Sequence, residues 1–465
     1  MRAAAAPFEI DSAVLASVAG TRPAVEDTRL LHAGLHSRRL VLLRGLLTQA
    51  HRHPVPPALA QRLEEYWRLL ERAEARAPAA ARAALAYPAI GNWLVQALSV
   101  PDPHGSHSPH GPDAAAREAR EGLLDGLGAV AAAVALSTGT GFRLTLPTSQ
   151  GRLTLPGFGV YEARAASVRL VAGPRSLQLT AQGRGGVVLR TRPPGHRPPP
   201  PVAGWRGLRP LPGGSALLDD LDPHRAGPRF GPRSAPRLTD AGPGGREHRD
   251  WWARWSAALT LLQAADPGRR TEVASLVRAV VPLEPGWSAS ATLRAAPWGV
   301  LTGLPGSARE MASVLVHEVQ HSKLAVLCDL VPLHADDGPA VHRVDWRPDP
   351  RPVGAVLQGT YAHLALADLW YRMARRRGAS PAARDAARRR CARFREQTDE
   401  ALTTLLGSGE LTRSGEVFTR AMRRHHAGLA PAHAPGAALG PAPPVPRAER
   451  AAAPLEHASS TCDIR

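Results

Sequence analysis

The sequence predicts a mostly α-helical α+β protein, in which a helical metal-binding domain follows a small antiparallel β-meander. Three observations predict this class. Apolar residues recur with a helical period near both ends of the chain, as in Leu63, Tyr66 and Leu70. Polar and apolar residues alternate between positions 140 and 192, which is typical of strands. Two histidines, His317 and His321, stand four residues apart in an apolar helical segment.

The composition fits a folded protein of two or three domains, with 465 residues of which 44% are hydrophobic. The formal net charge is +18, but Lys323 is the only lysine, so 57 of the 58 basic residues are arginine. Such a bias is typical of a GC-rich genome, and the arginines are scattered along the chain. The charge therefore does not predict nucleic acid as a partner, although an acidic ligand or a peptide is compatible with it.

Cysteine use and the apolar runs predict a cytoplasmic protein with no membrane partner. Cys328, Cys391 and Cys462 are widely spaced and form no CxxC pair, which favours a reducing compartment. Glu9 precedes any apolar run of signal-peptide length. The most apolar stretch, residues 127–136, is too short to span a bilayer.

Changes of pattern divide the chain into five segments. Helical periodicity marks the first segment, short alternating runs joined by Gly or Pro mark the second, and Pro, Gly and Arg dominate the third. Helical periodicity returns in the fourth, and the last is rich in Ala and Pro. The segments are an N-terminal helical region (1–137), an antiparallel β-meander (138–192), a Pro/Gly/Arg-rich linker (193–247), a helical HExxH metal-binding domain (248–429) and a flexible tail (430–465).

The HExxH segment lies on a helix whose start and end are both marked. Residues 307–310 form a capping box, and Pro332 ends the helix. His317 and His321 are one turn apart on one face of this helix, which is the spacing that two imidazoles need to bind one metal ion. Glu318 stands beside them, as a catalytic base or as a partner of a ligand.

A site with two histidines needs a third protein ligand. The preferred candidate is His363, on the next strongly apolar helix, which would pack beside the first. Asp368 on the same helix is the alternative. The aspartates of the intervening loop are weaker candidates: Asp337, Asp345 and Asp349.

Four stretches of the sequence resemble a known family. They are residues 315–324 (LVHEVQHSKL), 329–333 (DLVPL), 346–352 (WRPDPRP) and 357–364 (LQGTYAHL). Together they resemble the HExxH-motif peptide-modification family of actinobacteria, whose members sit in gene clusters for ribosomally made, post-translationally modified peptides. The chain has no CxxxCxxC motif, so it resembles the stand-alone members without a radical-SAM part.

The resemblance implies a peptide β-hydroxylase that uses Fe(II) and 2-oxoglutarate and acts on a precursor peptide. It implies that His317 and His321 are iron ligands and that His363 is the third. A cation must bind the distal carboxylate of 2-oxoglutarate, and Arg351 is the candidate because it falls between the two metal-binding helices. The usual ligand triad of such oxygenases contains a carboxylate. Either this site works without one, or Asp368 replaces His363.

Two alternatives remain open at the level of sequence. A zinc peptidase that trims a precursor peptide would bind zinc through His317 and His321 and use Glu318 to activate water. A non-catalytic peptide-binding scaffold would need no metal. The oligomeric state is not predicted.

Overall fold

Helices make up most of the chain in a computed structural model that describes residues 10–53, 55–100, 114–174, 176–182, 186–190, 202–227, 246–283, 290–335 and 338–429. The strands are short and form small, mostly antiparallel sheets, which confirms the predicted mostly α-helical α+β class. The helices within the described residues are α1 (Ser12–Ala19), α2 (Val25–Arg52), α3 (Pro57–Arg76), α4 (Pro78–Leu85), α5 (Pro88–Ser99), α6 (Ala114–Thr138), α7 (Arg246–Ala265), α8 (Pro267–Leu276), α9 (Ala308–Leu330), α10 (Val353–Arg375), α11 (Pro381–Gly407) and α12 (Arg413–Ala427). The strands are β1 (Phe142–Pro147), β2 (Arg152–Leu155), β3 (Gly159–Glu162), β4 (Ser167–Gly173), β5 (Ser176–Ala181), β6 (Val187–Arg190), β7 (Trp205–Gly207), β8 (Arg209–Pro210), β9 (Leu217–Leu218), β10 (Ala279–Pro282), β11 (Ser290–Ala291), β12 (Gly299–Thr302), β13 (His342–Val344) and β14 (Arg347–Arg351).

Helices α3 to α6 pack on the β-sheets around one apolar core. Helix α3 begins with a proline at its first turn, where no backbone donor is lost, and buries Leu63, Tyr66 and Leu70 against α6. The apolar residues whose spacing predicted this helix therefore form the face that packs in the core.

Helix α6 is the most apolar helix of this core. Among the described residues, one stretch, Arg117–Thr138, is long and apolar enough to cross a membrane by length and composition. It is longer than the apolar run of residues 127–136 in the sequence prediction. In the structure 61% of its most apolar part is buried inside the protein, and it packs on α3, α4 and β1. Helices of a protein core have this composition too.

The predicted meander forms two sheets. Strands β1, β4, β5 and β6 pair in that order, all antiparallel, and β1 alternates buried and exposed side chains. Strands β4 to β6 follow one another as a meander does. Strand β1 pairs with β4 instead of β2, because the β2–β3 hairpin lies between them and pairs with β7.

The predicted linker contains strands where the structure describes it. Residues 202–227 carry β7, β8 and β9, and β9 pairs in parallel with β10 in a sheet of order β11-β12-β10-β9-β8. Irregular structure was expected there because strands of two or three residues are too short to show alternation. This segment joins the meander to the sheet that lies before the HExxH helix.

The core around α9 also includes the first two helices. Leu15 of α1 and Leu31 of α2 belong to the same buried cluster as residues of α7, α9, α10 and α12. Arg38 of α2 donates to Asp329 near the end of α9 at 2.7 Å. The boundary predicted at residue 137 therefore marks a change of secondary structure and does not separate two cores.

The predicted limits of the HExxH helix agree with α9. Ser307 accepts from the backbone of Glu310, and the Glu310 side chain accepts from the backbone of Ser307, so the capping box is formed. The helix ends at Leu330, two residues before Pro332. Nearly every residue from Met311 to Leu327 is buried, which makes α9 a central helix.

Candidate metal centre

The two histidines of α9 have their ring nitrogens at the spacing of two ligands of one ion. His317 is fully buried, and its Nε2 lies 3.0 Å from Nε2 of His321. Two imidazole nitrogens each about 2.1 Å from a metal, in adjacent octahedral positions, would be about 3 Å apart. The pair therefore fits a mononuclear metal ion as it stands.

Gln358 of α10 sets the orientation of His321. Its Oε1 lies 3.1 Å from Nδ1 of His321 and accepts a hydrogen bond from it. The proton is thereby assigned to Nδ1, which leaves the lone pair of Nε2 directed toward His317. Metal-binding histidines commonly have such a partner on the second ring nitrogen.

His363 of α10 is the third histidine at this place. Its ring centroid lies 5.8 Å from that of His317, and the side chain is almost completely buried. Trp346 contacts it edge-on at 4.3 Å between centroids, and Phe394 of α11 lies at 5.4 Å. Burial, and then the charges of His321 and Arg393, lower the pKa of His363 to about 3. His363 is therefore neutral at physiological pH, as a metal ligand must be.

The three rings converge without forming a complete ligand set. Among the described residues, no three His, Cys, Asp or Glu side chains have their donor atoms arranged around one metal position. The His317–His321 pair has ligand spacing, and the His363 ring has to turn toward this pair to complete a set of three. Imidazole donors of this kind suit iron and zinc equally.

Asp368, the alternative third ligand, lies away from the histidines. It is fully buried and forms ion pairs with Arg22 at 3.1 Å, Arg269 at 3.3 Å and Arg372 at 3.0 Å. Burial alone would raise the pKa of Asp368, but the three arginines hold it below its ordinary value. It follows His363 by five positions, which puts the two side chains on different faces of α10. The structure therefore gives Asp368 an ion-pairing role.

The loop aspartates do not join the histidines either. Asp345 accepts a hydrogen bond from Gln397 of α11 at 3.0 Å. Asp349 is exposed and accepts from Arg351 at 3.1 Å. Asp337 lies outside the described residues.

Glu318 is held by two hydroxyl groups that the sequence did not reveal. Ser290 Oγ donates to its Oε1 at 2.6 Å, and Thr292 Oγ1 donates to its Oε2 at 2.7 Å. The carboxylate is completely buried. Both of its oxygens therefore bind the segment around β11, and Glu318 fixes α9 to that segment. A buried Glu needs polar partners, but spacing in the sequence gives no indication of partners 26 and 28 residues away.

A small pocket open to solvent adjoins His321. Arg351, the predicted cofactor-binding residue, lies in its wall together with a second arginine, Arg347. The other lining residues are Val344, Trp346, Ala355, Val356 and Gly359. Both arginines are mostly buried, with 17% and 19% of their side chains exposed. The pocket is thus positively charged and close to one end of the histidine cluster.

Arg347 could have been found from the sequence. It precedes Arg351 by four residues on β14, and positions i and i+4 of a strand are on the same face. Asp349 lies between them on that face, and its carboxylate approaches Arg351 at 3.1 Å and Arg347 at 3.9 Å. Hydrogen bonding from Arg351 is the main cause that lowers the pKa of Asp349.

Trp346 packs on α10 at Gly359, between the pocket and His363. A Cβ atom at position 359 would lie 2.9 Å from Cζ2 of Trp346, so only glycine allows this contact. Trp346 thus touches both the pocket and the ring of His363.

A buried ionic cluster supports α9 on the side away from the pocket. Nζ of Lys323 donates to Glu272 of α8 at 2.5 Å and to the carbonyl of Thr21 at 2.8 Å. Burial lowers the pKa of Lys323 to about 8, although Glu272 opposes this shift. The only lysine of the chain is therefore an internal link between α9, α8 and the N-terminal helices.

A scan against protein-family models finds no match to this chain, and a search of the curated proteins finds none either. The function therefore has to be inferred from the geometry of the site.

Proposed function

We propose that the protein hydroxylates the β-carbon of a side chain in a ribosomally made precursor peptide, using Fe(II) and 2-oxoglutarate. The observation that carries this proposal is the convergence of His317, His321 and His363 beside a pocket lined by Arg347 and Arg351. A neutral nitrogen donor set next to a cationic pocket suits a metal ion together with an anionic cosubstrate.

The histidines would hold the iron, and His321 is already oriented for this by Gln358. Iron held there would supply the activation of O₂, with one oxygen atom going to the C–H bond and the other to succinate as 2-oxoglutarate loses CO₂.

Arg351 would bind the distal carboxylate of 2-oxoglutarate. In the structure its Nη1 already donates to a carboxylate, that of Asp349, and Arg347 is on the other side of the same carboxylate. A guanidinium group matches a carboxylate with two parallel hydrogen bonds. The cosubstrate would replace Asp349 at Arg351. Asp349 is exposed, so its carboxylate would remain hydrated after this exchange.

Trp346 and Phe394 would enclose the His363 ring and keep water from it. They contact this ring at 4.3 Å and 5.4 Å between centroids. Burial is the main cause that lowers the pKa of His363, so the imidazole stays neutral in this environment.

The state of Glu318 favours the hydroxylase over a zinc peptidase. A peptidase needs this carboxylate to take a proton from water. Here both oxygens already accept hydroxyl hydrogen bonds from Ser290 and Thr292. An oxygenase needs no such base, and a structural carboxylate is sufficient for it.

The test of this proposal is binding of 2-oxoglutarate to the protein reconstituted anaerobically with Fe(II). A chelated 2-oxoacid gives a visible charge-transfer absorption with Fe(II), and this absorption can be titrated. We expect saturable binding, weakened about tenfold or more in Arg351→Gln, since a hydrogen bond to a charged group is lost. Arg343→Gln is the control, because Arg343 is exposed on β13 and does not line the pocket. Absence of the absorption in the iron-loaded protein contradicts the proposal.

A further inference from the structure

A second pocket lies where four helices meet, at the ends of α9 and α10 opposite to the Arg347–Arg351 pocket. Helices α7, α9, α10 and α11 each contribute residues to it. Its apolar walls come from Leu261, Trp370 and Met373, together with the alanines of α11 and Ala379. Three arginines complete the lining: Arg309, Arg376 and Arg390.

The charge of this pocket is not balanced locally. None of its lining residues is acidic. Within the part of the chain that the structure describes, no ion pair joins any of the three arginines to a carboxylate. Arg390 stacks on Trp370, with 4.6 Å between its guanidinium carbon and the ring centroid, so the guanidinium lies over an aromatic ring. The pocket therefore offers donors to an anion beside an apolar surface.

Helices α9 and α10 carry residues of this pocket as well as the histidines, so positions along these helices give the distance between the two places. Trp370 follows His363 by seven residues on α10, and Arg309 precedes His317 by eight residues on α9. These separations are about 10–12 Å along a helix axis. An extended peptide covers such a distance in about three or four residues.

We propose that this pocket binds an acidic segment of the peptide substrate, with carboxylate side chains on the arginines and an apolar side chain against Trp370. The inference rests on the proposed function only in taking a peptide as the substrate. The chemistry of the ligand follows from the pocket, because guanidinium groups bind carboxylates and the indole ring favours an apolar neighbour. A chain of net charge +18 also attracts an acidic peptide at long range.

The experiment measures binding of labelled synthetic peptides to the metal-free protein by fluorescence anisotropy. The probe is a dodecapeptide with two glutamates beside two leucines, and matched peptides carry Gln for Glu or Ser for Leu. The variants are Arg376→Gln/Arg390→Gln and, as a control of equal type, Arg389→Gln, an exposed arginine of α11 outside the pocket. Because no metal is present, the result does not depend on the reaction.

We expect saturable binding of the Glu/Leu peptide to the wild-type protein. The double variant should weaken this binding about tenfold, the combined effect of two exposed charge pairs, while Arg389→Gln should change it less than twofold. Both matched peptides should bind more weakly than the probe. Equal weakening by the control variant, equal affinity for the Gln peptide, or no binding at about 1 mM peptide, which is a very weak interaction, would each overturn the proposal. Loss of 2-oxoglutarate binding with retained peptide binding would overturn the proposed function alone.

Discussion

The two ring nitrogens of His321 contact different partners, and this division explains how one side chain serves both the fold and the site. Nδ1 binds Gln358 of α10, which joins the two site helices, and Nε2 lies beside His317. His363 and Asp368 differ in charge and in surroundings. One is neutral and close to the histidines, and the other is charged and surrounded by arginines.

A pair of substitutions tests this distinction between His363 and Asp368. We expect His363→Gln to lose bound iron while its free energy of unfolding stays close to that of the wild type. Asp368→Asn should keep the iron but lose roughly 3–5 kcal/mol of stability, because Arg22, Arg269 and Arg372 lose their buried partner. Metal analysis and urea unfolding give the two readouts. Loss of iron in a fully folded Asp368→Asn protein would move the third ligand to Asp368.

At the scale of elements, a strand and a turn of helix shape the site together. Strand β14 carries both arginines of the first pocket, and Trp346 just before it lies on α10 at Gly359. The absence of a side chain at position 359 lets Trp346 approach His363. Backbone geometry at one residue thus determines how the ring of His363 is enclosed.

Substitution of Gly359 tests this contact. We expect Gly359→Ala to displace the Trp346 ring and to weaken metal binding by about 10–100-fold, as is typical when the support of a ligand is disturbed. The unfolding free energy should fall by only about 1–3 kcal/mol. Gly407→Ala is the matched control, because a Cβ at that helical position meets nothing within 4 Å. A metal titration monitored by tryptophan fluorescence provides the measurement. An unchanged metal affinity in Gly359→Ala would contradict the role of Trp346 in supporting His363.

The sequence predicted the parts of the site that lie on one element. The spacing of His317 and His321, the capping box and the end of α9 depend only on neighbours along the chain. Arg351 was a candidate because it falls between two helices in the sequence, and in the structure it lines the pocket that adjoins His321. Ser290 and Thr292 were missed, since tertiary packing alone brings them to Glu318.

At the scale of the molecule, residues 202–227 connect two cores that the sequence had separated by a linker. Strand β7 pairs with β3 of the meander, and β9 pairs with β10 near the HExxH helix. Behind β9 the chain buries Asp219 and Asp222, and Tyr87 of the N-terminal helices donates to Asp219 at 2.6 Å. The connection is thus made of buried polar groups as well as strands, which no local pattern predicts.

This connection makes the stability of the molecule depend on pH. Burial, and then the charge of Asp219, raise the pKa of Asp222 to about 7. In the unfolded chain an Asp has a pKa of about 3.9. Between this pH and the folded pKa, the folded protein therefore binds more protons than the unfolded chain. The stability from this group is complete below the unfolded pKa and is lost as pH rises through the folded pKa.

Asp222→Asn should therefore stabilise the protein at pH 8 by roughly 2 kcal/mol and have almost no effect near pH 4. Asn keeps the acceptor that binds the backbone N–H of His224 at 2.8 Å. The control is Asp250→Asn, an exposed residue of α7. Urea unfolding at several pH values measures the difference, and an equal effect at all pH values would contradict the assignment.

Turnover of 2-oxoglutarate by the wild-type protein and by Glu318→Gln, each loaded with either Fe(II) or Zn(II), distinguishes a hydroxylase from a peptidase. Succinate is measured after exposure to O₂, and a peptide library in the same sample is examined for cleavage by mass spectrometry. We predict succinate with Fe(II) and none with Zn(II). Glu318→Gln should retain turnover within about 10–100-fold of the wild type, because its carboxylate supports the fold of the site. Peptide cleavage by the zinc-loaded wild-type protein, absent from Glu318→Gln and without succinate in any sample, would contradict the proposed hydroxylase and identify a peptidase.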